Sequence, residues 1–578
     1  MTTSVKIKSR DPGNGKDNLP PDVHPVLRKI LLSRGIQSAE SINLGLKQLH
    51  SPGKLLGLEL AASIICTAIK TNQKILIVGD FDADGATGTA LAVKALTAMG
   101  AQQVAFKVPN RFEFGYGLSV GLVKTLESDP PDILVTVDSG IACLEGVSFA
   151  KKLGCKVVVT DHHLPGVQLP EADAIVNPNV PGDLFPSKAL AGVGVMFYLL
   201  SAIRSQLKGQ GWFTSGRSEP NLADYLDLVA LGTVADLVPL DHNNRILVSQ
   251  GLARIRSGRA CPGLMALLKI GKRDYRYLIA SDLGFTVAPR LNAAGRLEDM
   301  SVGIRCLLSD DPLETADLAE QLDELNRSRR SMQEQMQSEA SAKLTVVLDD
   351  LKEKTLPMSL CLHDSSWHQG IVGLVASKTK DQIHRPVVVF APEQEGSLLL
   401  KGSARSIPGL HIRDVLAHVD TSHPGMMIAF GGHAMAAGLS INAENLPAFK
   451  RALEHSVSVF LDGEAPSAEI FTDGELPAAN INLKFAELLR DLGPWGQHFP
   501  EPLFEGSFEV INKRVVGGAH LKMVVRPLDG SEPVDAIAFG RLPEQLPVSG
   551  GVRLLYKLDI NHFRGERICQ LMVDRILN

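Results

Sequence analysis

At 578 residues the chain is too long for one hydrophobic core, and ~150 residues per domain suggests about four folding units. Its 44% hydrophobic and 21% charged residues exclude a fibrous or largely disordered protein. A net charge of −5 excludes a globally basic nucleic-acid coat, so only local charge can argue for nucleic acid.

Residues 1–50 read as an N-terminal extension, and residues 1–20 lack the apolar run of a targeting segment. From Lys74 the pattern becomes regular: a β-branched run ILIV (75–78), an acidic Gly-rich turn, then an Ala/Leu-rich helical stretch to Met99. VAFKV (104–108), ILVTV (133–137) and KVVVT (156–160) follow at helix-length intervals. That is the pattern of an α/β domain, residues 51–311, whose parallel sheet is covered on both faces. Such sheets bind ligands beyond the carboxyl ends of their strands, where Asp80, Asp138 and Asp161 stand. The longest charge-free apolar stretch, 189–203, falls short of the ~20 residues of a spanning helix, and a cytoplasmic protein without membrane contact is expected. The seven cysteines are scattered, with no CxxC pair, which fits a reducing compartment.

Residues 312–346 read as one long connecting helix. No Gly or Pro interrupts them after Pro312, and Leu318, Leu322, Leu325, Met332 and Met336 recur at helical spacing. At ~1.5 Å per residue it spans about 50 Å. A smaller α/β domain is expected over 347–463, from SLCL, the helix GIVGLVASKTK, VVVF and SLLLKGSA. Over 464–578 short strands dominate (FEGSFEVI, HLKMVVRP, DAIAFG, RLLYKLDI, ERICQLMV), which predicts a small β-barrel.

Several motifs carry chemistry. In GDFDADG, Asp80, Asp82 and Asp84 lie close enough to repel one another unless a cation neutralises them, and hard oxygen ligands suit Mg²⁺ or Mn²⁺. An N-capping turn is the alternative. VDSG places Asp138, and TDHHLP places Asp161, His162 and His163, directly after buried strands; imidazole is a further metal ligand that a carboxylate can orient. In LVALGTVADLVPL, Asp236 interrupts an apolar run and is costly to bury without a partner, unless it caps a helix. GSARSIPGLHI carries Ser403 and Arg405 between the flanking Lys401 and Arg413, with no carboxylate before Asp414, which is either a phosphate cradle or a solvated basic loop. Within APRLNAAGR, Arg290 and Arg296 are likewise unaccompanied by an acid and are further candidates for phosphate. GGHAMAAG offers Gly432 and His433 as a turn that presents an imidazole to phosphate, or simply as a tight turn. Arg111, Tyr116 and the phenylalanines of NRFEFGYG fit a stacking platform for unpaired bases, or a core. Phe508, Phe539, Tyr556 and Phe563 fit a barrel that grips single strands.

In their order and spacing, GDFDADG, VDSG, the DHH triplet and GTVADLVPL resemble the four motifs of the DHH phosphoesterase superfamily. PNRFEFGYG, APRLNAAGR, WHQGIVGLVASK, GSARSIPGLHI and GGHAMAAG narrow the resemblance to the RecJ family of bacterial single-strand-specific 5′→3′ DNA exonucleases, from about Lys74 to the C-terminus. The resemblance implies a DHH domain, a DHHA1 domain beyond the long helix, and a C-terminal OB-fold. It implies that Asp82, Asp84, Asp138, His162 and Asp236 hold two divalent cations, Mn²⁺ or Mg²⁺, with Asp138 bridging. Two such ions ~4 Å apart activate a water and hold the oxygens of the scissile phosphate. Many superfamily members carry a histidine four residues before the position of Asp82; here Val78 stands there, and Asp80 is the candidate replacement. His163 is expected beside the ligands or on the phosphate, with Arg296, Ser403, Arg405 and His433 also on phosphate. The implied function is release of 5′-mononucleotides from single-stranded DNA in recombination and repair. The chain would work as a monomer beside single-strand-binding protein and a helicase. One segment departs from the family: GPWGQHFPEPLF stands where members usually show a PFGxGNPEPxF-like sequence. Two other readings share some of these motifs. A small-substrate phosphoesterase of the same superfamily would generally be shorter and lack the barrel, and a DNA-binding scaffold with a dead metal site would not need the intact carboxylates and His162.

Overall fold

The computed structural model describes residues 5–577 except 14, 112, 215, 351–356, 465, 467, 531, 542, 544–550 and 564, with backbone only for 5, 343–350, 468 and 563. Phe112 and the Phe563 side chain, both expected to stack on bases, lie outside the described set. The chain forms two compact units: a larger one of Ser9–Asp323 with Phe471–Asn578, and a smaller one of Glu324–Ile470 with the N-terminal residues.

In the larger unit five parallel strands form one sheet: β1 (Ile75–Gly79), β2 (Val104–Lys107), β3 (Ile133–Val137), β4 (Lys156–Thr160) and β5 (Ala174–Val176), in the order β2-β1-β3-β4-β5. β1 and β3 are buried throughout, as an unbroken Ile/Leu/Val run requires when helices cover both faces. Helix α1 (Pro25–Leu32) precedes the sheet, and α2 (Ala83–Ala98) and α3 (Gly192–Gly209) pack beside it. Gly88 of α2 lets them come close, since a Cβ there would lie 2.5 Å from Val137 Cγ1 and 3.4 Å from Val193 Cα. Pairing register aligns Gly79 with Val137, and Val137 with Thr160. Asp80, Asp138 and Asp161 therefore leave three neighbouring strands at one level. Helices α4 (Leu226–Ala235), α5 (His242–Arg256) and α6 (Ala288–Leu297) complete this part.

Helix α7 (Pro312–Asp350) is the predicted long helix, and the division between the two units falls within it. In the smaller unit β6 (Leu360–His363), helix α8 (Val372–Ile383), β7 (Val387–Pro392), β8 (Leu399–Arg405), β9 (Ala429–Gly432) and β10 (Ala436–Asn442) follow. The sheet order is β9-β10-β8-β7-β6, parallel only between β6 and β7. Phe390, Ala404, Ile412 and Phe449 are in its core.

Helix α9 (Leu483–Asp491) leads into a closed barrel of β11 (Phe504–Val516), β12 (His520–Pro527), β13 (Val534–Ala538), β14 (Val552–Phe563) and β15 (Glu566–Leu577). The N-terminal region contributes directly to its core: Leu27 and Ile30 of α1 pack with Leu476, Phe485, Phe504 and Tyr556. Phe508 and Tyr556, expected on the gripping surface, face inward instead, because their strand positions alternate into the closed barrel. Phe539 is 55% exposed and remains available. No single helix among the described residues is long and apolar enough to cross a membrane.

A buried ion pair ties the N-terminal region to the barrel. Arg34 donates to both carboxylate oxygens of Asp473 at 2.7 and 3.0 Å, and the two side chains are 1% and 2% exposed. Arg34→Ala leaves buried Asp473 with only the Leu503 amide and the neighbouring Arg10 to offset its charge, at an expected cost of up to ~3–5 kcal/mol. Chemical denaturation should show that loss, and a change under ~1 kcal/mol would mean the pair contributes no more than a surface bridge.

Candidate metal centre

Each acidic side chain is fixed by the backbone around it. Asp82 caps α2, its Oδ1 accepting from the amides of Asp84 (2.9 Å) and Gly85 (3.0 Å). Asp84, in the first turn of α2, accepts from Gly192 N at 2.6 Å and Val193 N at 2.9 Å, the amides that open α3. Two helix N-termini thus converge on this acidic turn, as macrodipoles favour. Gly192 allows the approach, since a Cβ there would lie 2.5 Å from that of Asp138. Asp138 adopts a left-handed φ of 60°, and its turn is braced by Thr136 Oγ1 donating to Ser139 O at 2.7 Å.

Asp161 organises the histidines. Its Oδ1 accepts from the amides of His162 (2.7 Å) and His163 (3.0 Å) and lies 2.7 Å from His163 Nδ1, while its Oδ2 accepts from Ile141 N. Asn179 donates to His162 O at 2.6 Å and Asn177 to His163 O at 2.9 Å, which fixes the backbone of the pair. His162 Nε2 then sits 3.0 Å from Asp138 Oδ1 and 3.4 Å from Asp236 Oδ2. Asp236 follows the last turn of α4, and Gly232 within α4 admits Asp84 Oδ1 to 2.7 Å from where a Cβ would be.

Three donor sets result: Asp80 with Asp82 and Asp138, Asp84 with His162 and Asp236, and Asp138 with His162 and His163. Sharing of Asp138 and His162 gives room for two neighbouring cations. Asp80 Oδ1 is buried and accepts no hydrogen bond among the described residues, as an oxygen reserved for a cation would be. Val78 is fully buried in the apolar core with Leu76 and Leu134, and the oxygens that face the site on this side are those of Asp80, Asp82 and Asp138. Burial and then Asp82 raise the Asp80 carboxyl well above its usual range, and the same causes lift Asp84 to about 7. Burial and then Asp84 raise Asp138 and Asp236 likewise. Burial opposes a charge on His163, but Asp161 and the surrounding carboxylates outweigh it and push the ring up to about 9.

Phe81, between the first two aspartates, packs against two of the expected site residues. The Arg111 guanidinium lies 4.8 Å from its ring centre, and Tyr116 meets the ring edge-on at 5.9 Å. Tyr116 also donates to Asp138 O at 3.2 Å and reaches His163 Nδ1 at 3.5 Å. Helix α6 closes the other side: Asn292 accepts from Ala83 N at 2.8 Å, and a Cβ on Gly295 would lie 1.7 Å from Phe81 O. Arg296 follows that contact in the chain and is half-buried.

The chain is similar to known proteins over its whole length. Family models match the DHH family N-terminal domain over 74–233, the DHHA1 domain over 354–458 and the RecJ OB domain over 472–575. The chain is 48% identical, over 100% of both sequences, to the single-stranded-DNA-specific exonuclease RecJ of Escherichia coli strain K12. It belongs to the RecJ family. The solved structure of RecJ from Thermus thermophilus in complex with Mn²⁺ has a TM-score of 0.77 and 29% identity, covering 99% of this chain and 80% of that one. The Mg²⁺ complex gives 0.73 and 28%, covering 99% and 79%. The DHH, DHHA1 and OB order of the RecJ family is thus the order found here.

In the smaller unit Arg405 donates to Ser403 Oγ and to Ala404 O, both at 2.9 Å. The opening turn of α8 lies against them: a Cβ on Gly373 would sit 2.8 Å from Arg405 Nη2 and 3.0 Å from Ser403 Oγ. Gly432 has a φ of 146° and no room for a Cβ, which would lie 2.4 Å from Ala436 O; it makes the hairpin turn at whose tip His433 is exposed. Arg290 departs from expectation. It is buried, donating to Asp323 at 2.9 Å and to Thr286 O, so its charge serves the interior rather than a phosphate. Asp161 orients the histidines as its motif suggested, whereas Asn177, Asn179, Gly192, Asn292 and Gly295 are supporting residues that the sequence motifs left without this role.

These raised carboxyls give the metal-free fold a defined pH response. A folded-state pKa above the unfolded value means that the folded chain binds more protons, so its stability falls as pH rises through about 7. Cations bind the deprotonated carboxylates and remove that loss. The rise in thermal midpoint produced by Mn²⁺ should therefore be larger above pH 7 than below it in a scanning-calorimetry series. A rise independent of pH would show that these carboxyls are ionised before the cation arrives.

Proposed function

We propose that this chain is a metal-dependent exonuclease that degrades single-stranded DNA from its 5′ end to 5′-mononucleotides. The observation that carries the reading is the convergence of Asp80, Asp82, Asp84, Asp138, His162 and Asp236, from separate strand and helix ends, into donor sets that share Asp138 and His162. The RecJ relatives named above, one of them solved with Mn²⁺ and with Mg²⁺, support the choice of substrate and cation. When bound, two such cations supply an activated water and neutralise charge on the phosphate being cleaved.

The residues of the chain do the rest. Asp161 holds His163 by Nδ1, and a ring raised to about 9 is a cation at neutral pH, suited to a phosphate oxygen. Asn177 and Asn179 keep the two histidines in place. Arg111, steadied over Phe81, and Arg296, beside Gly295, serve as further phosphate contacts, with Tyr116 as a stacking face. In the smaller unit, Ser403 and Arg405 beneath the first turn of α8 form an anion cradle. It reads the terminal 5′-phosphate, the group that an internal nucleotide lacks. His433 at the hairpin tip adds an imidazole. Work in recombination and repair within the cytoplasm, as a monomer beside single-strand-binding protein and a helicase, completes the proposal.

The deciding experiment is digestion of 5′-labelled and 3′-labelled single and double strands with Mn²⁺ or Mg²⁺. Label released first from 5′-labelled single strands is the expected result, and release first from 3′ ends overturns the polarity. Asp138→Asn keeps a residue that tolerates positive φ but removes the shared charge, so hydrolysis should collapse while single strands still bind. Activity within about tenfold of wild type would remove Asp138 from the metal set. Arg405→Ala removes a charge-assisted contact worth ~1.5–3 kcal/mol. Binding of 5′-phosphorylated strands should weaken by about one to two orders of magnitude, with 5′-hydroxyl strands much less affected. An equal loss for both makes Arg405 a general backbone contact.

A further inference from the structure

The donor set of Asp84, His162 and Asp236 is assembled from segments far apart in the chain. Asp84 is held by the amides of Gly192 and Val193, so its place follows the segment that runs into α3. His162 follows β4, and Asp236 opens a loop that ends at the start of α5. A divalent ion accepts ligand distances only within ~0.2 Å of its preferred values, so these segments must be held at fixed separations.

Asn244, in the first turn of α5 and 0% exposed, spans two of them. Its Nδ2 donates to Ala189 O at 2.6 Å and to Pro239 O at 2.9 Å. Ala189 lies three residues before Gly192, and Pro239 three residues after Asp236. Both amide hydrogens are used, and two carbonyl acceptors settle which side of the amide is nitrogen. Oδ1 is buried and accepts nothing among the described residues, a cost that a side chain chosen only to fill the core would not carry. Asp241 fixes the backbone beneath: it accepts from Asn244 N at 2.9 Å and from Ser187 Oγ at 2.6 Å. The third segment joins at the neighbouring carbonyl. Asn179 Nδ2, which holds His162 O, also donates to Lys188 O at 3.2 Å. The consecutive carbonyls of Lys188 and Ala189 thus tie His162 and Asp236 to the segment that places Asp84.

We propose that Asn244 is a positioning residue of the metal centre: its two donated bonds set the separation of Asp236 from Asp84, and so the affinity of the cation that these two share with His162. The inference rests on the metal-centre reading above. A planar amide holds its hydrogens at a fixed angle, so the two carbonyls cannot part without losing a bond. The set of Asp80, Asp82 and Asp138 stands on the ends of β1 and β3 and the start of α2, away from this tie, and is expected to keep its ion when the tie is cut.

The test is Mn²⁺ uptake by the full chain without DNA, read as loss of the free-ion signal in electron paramagnetic resonance. Asn244→Leu keeps the size of the side chain and removes both donors. One Mn²⁺ of the wild-type pair should then bind about tenfold or more weakly, with the other within about threefold of wild type. Asn244→Ser keeps one donor; its loss should be smaller, and it carries the test if the leucine variant folds poorly. In single-strand digestion the Mn²⁺ concentration for half-maximal rate should rise in step, and excess Mn²⁺ should restore kcat with KM for DNA unchanged. Asn243→Leu is the control. Asn243 is equally buried but accepts from Tyr198 Oη at 2.9 Å and His50 N at 3.1 Å, so its loss should lower the melting temperature and leave both ions alone. Unchanged Mn²⁺ affinity in the Asn244 variants overturns the proposal, as does equal weakening of both ions or the same change in Asn243→Leu. Wild type that takes up no Mn²⁺ is a different result, and it defeats the metal-centre reading and this proposal with it.

Discussion

Like charges gathered at one buried sheet edge are the constraint on which the rest of this molecule depends. Asp80, Asp84 and Asp138 are almost wholly buried; beyond burial, Asp82 raises the pKa values of Asp80 and Asp84 further, and Asp84 with Asp82 raises that of Asp138. Burying one ionised carboxylate costs several kcal/mol when nothing compensates it. The fold compensates partly with backbone: amides of α2 serve Asp82, and amides of α3 serve Asp84. Asp80 Oδ1 accepts no hydrogen bond among the described residues, and Arg111 and His163 offset only part of the remaining charge. Neutralisation is thus left to protons or to cations, and a site in that condition is poised to take up metal.

How far the sequence discloses this depends on whether a role is local. The strands, the aspartates that follow them and the long helix are local features, set by runs of β-branched residues and by an unbroken helical pattern, and they stand where the periodicity places them. The supporting residues are not local. Asn177 and Asn179 sit in a Pro-rich stretch that reads as a turn, and only the fold brings them under the histidine carbonyls. Gly192 and Gly295 matter for what approaches them, which no spacing reveals. Arg290 has no acid nearby in sequence because its partner, Asp323, arrives from the start of the long helix. Phe508 and Tyr556 look like ligand-facing aromatics until closure of the barrel decides which face is inside.

The segment that departs from the family pattern shows what such a departure can mean. Trp495 stacks on Phe499 with ring centres 5.0 Å apart and planes at 11°. Arg34 lies 5.5 Å from the Trp495 ring centre, and Arg245 lies 4.0 Å from that of Phe499. Burial pulls the Arg245 guanidinium down to about 10, which leaves it charged at neutral pH and dependent on the ring face. Four side chains from the N-terminal region, α5 and the approach to the barrel thus form one column.

That column bears on the chemistry through the backbone beside it. Gln497 O accepts from Leu240 N at 2.8 Å, and a Cβ on Gly496 would lie 2.7 Å from Leu240 Cδ1. Leu240 ends the loop that begins at Asp236, so a donor of the metal centre and the approach to the barrel are held by the same contact. A side chain at 496 would have to displace the Leu240 side chain, and Trp495 stacked on Phe499 flanks the turn that brings Gln497 within reach. The barrel region therefore cannot be treated as a separate grip added to a finished catalytic domain: the stack that seats it also fixes the far end of the Asp236 loop.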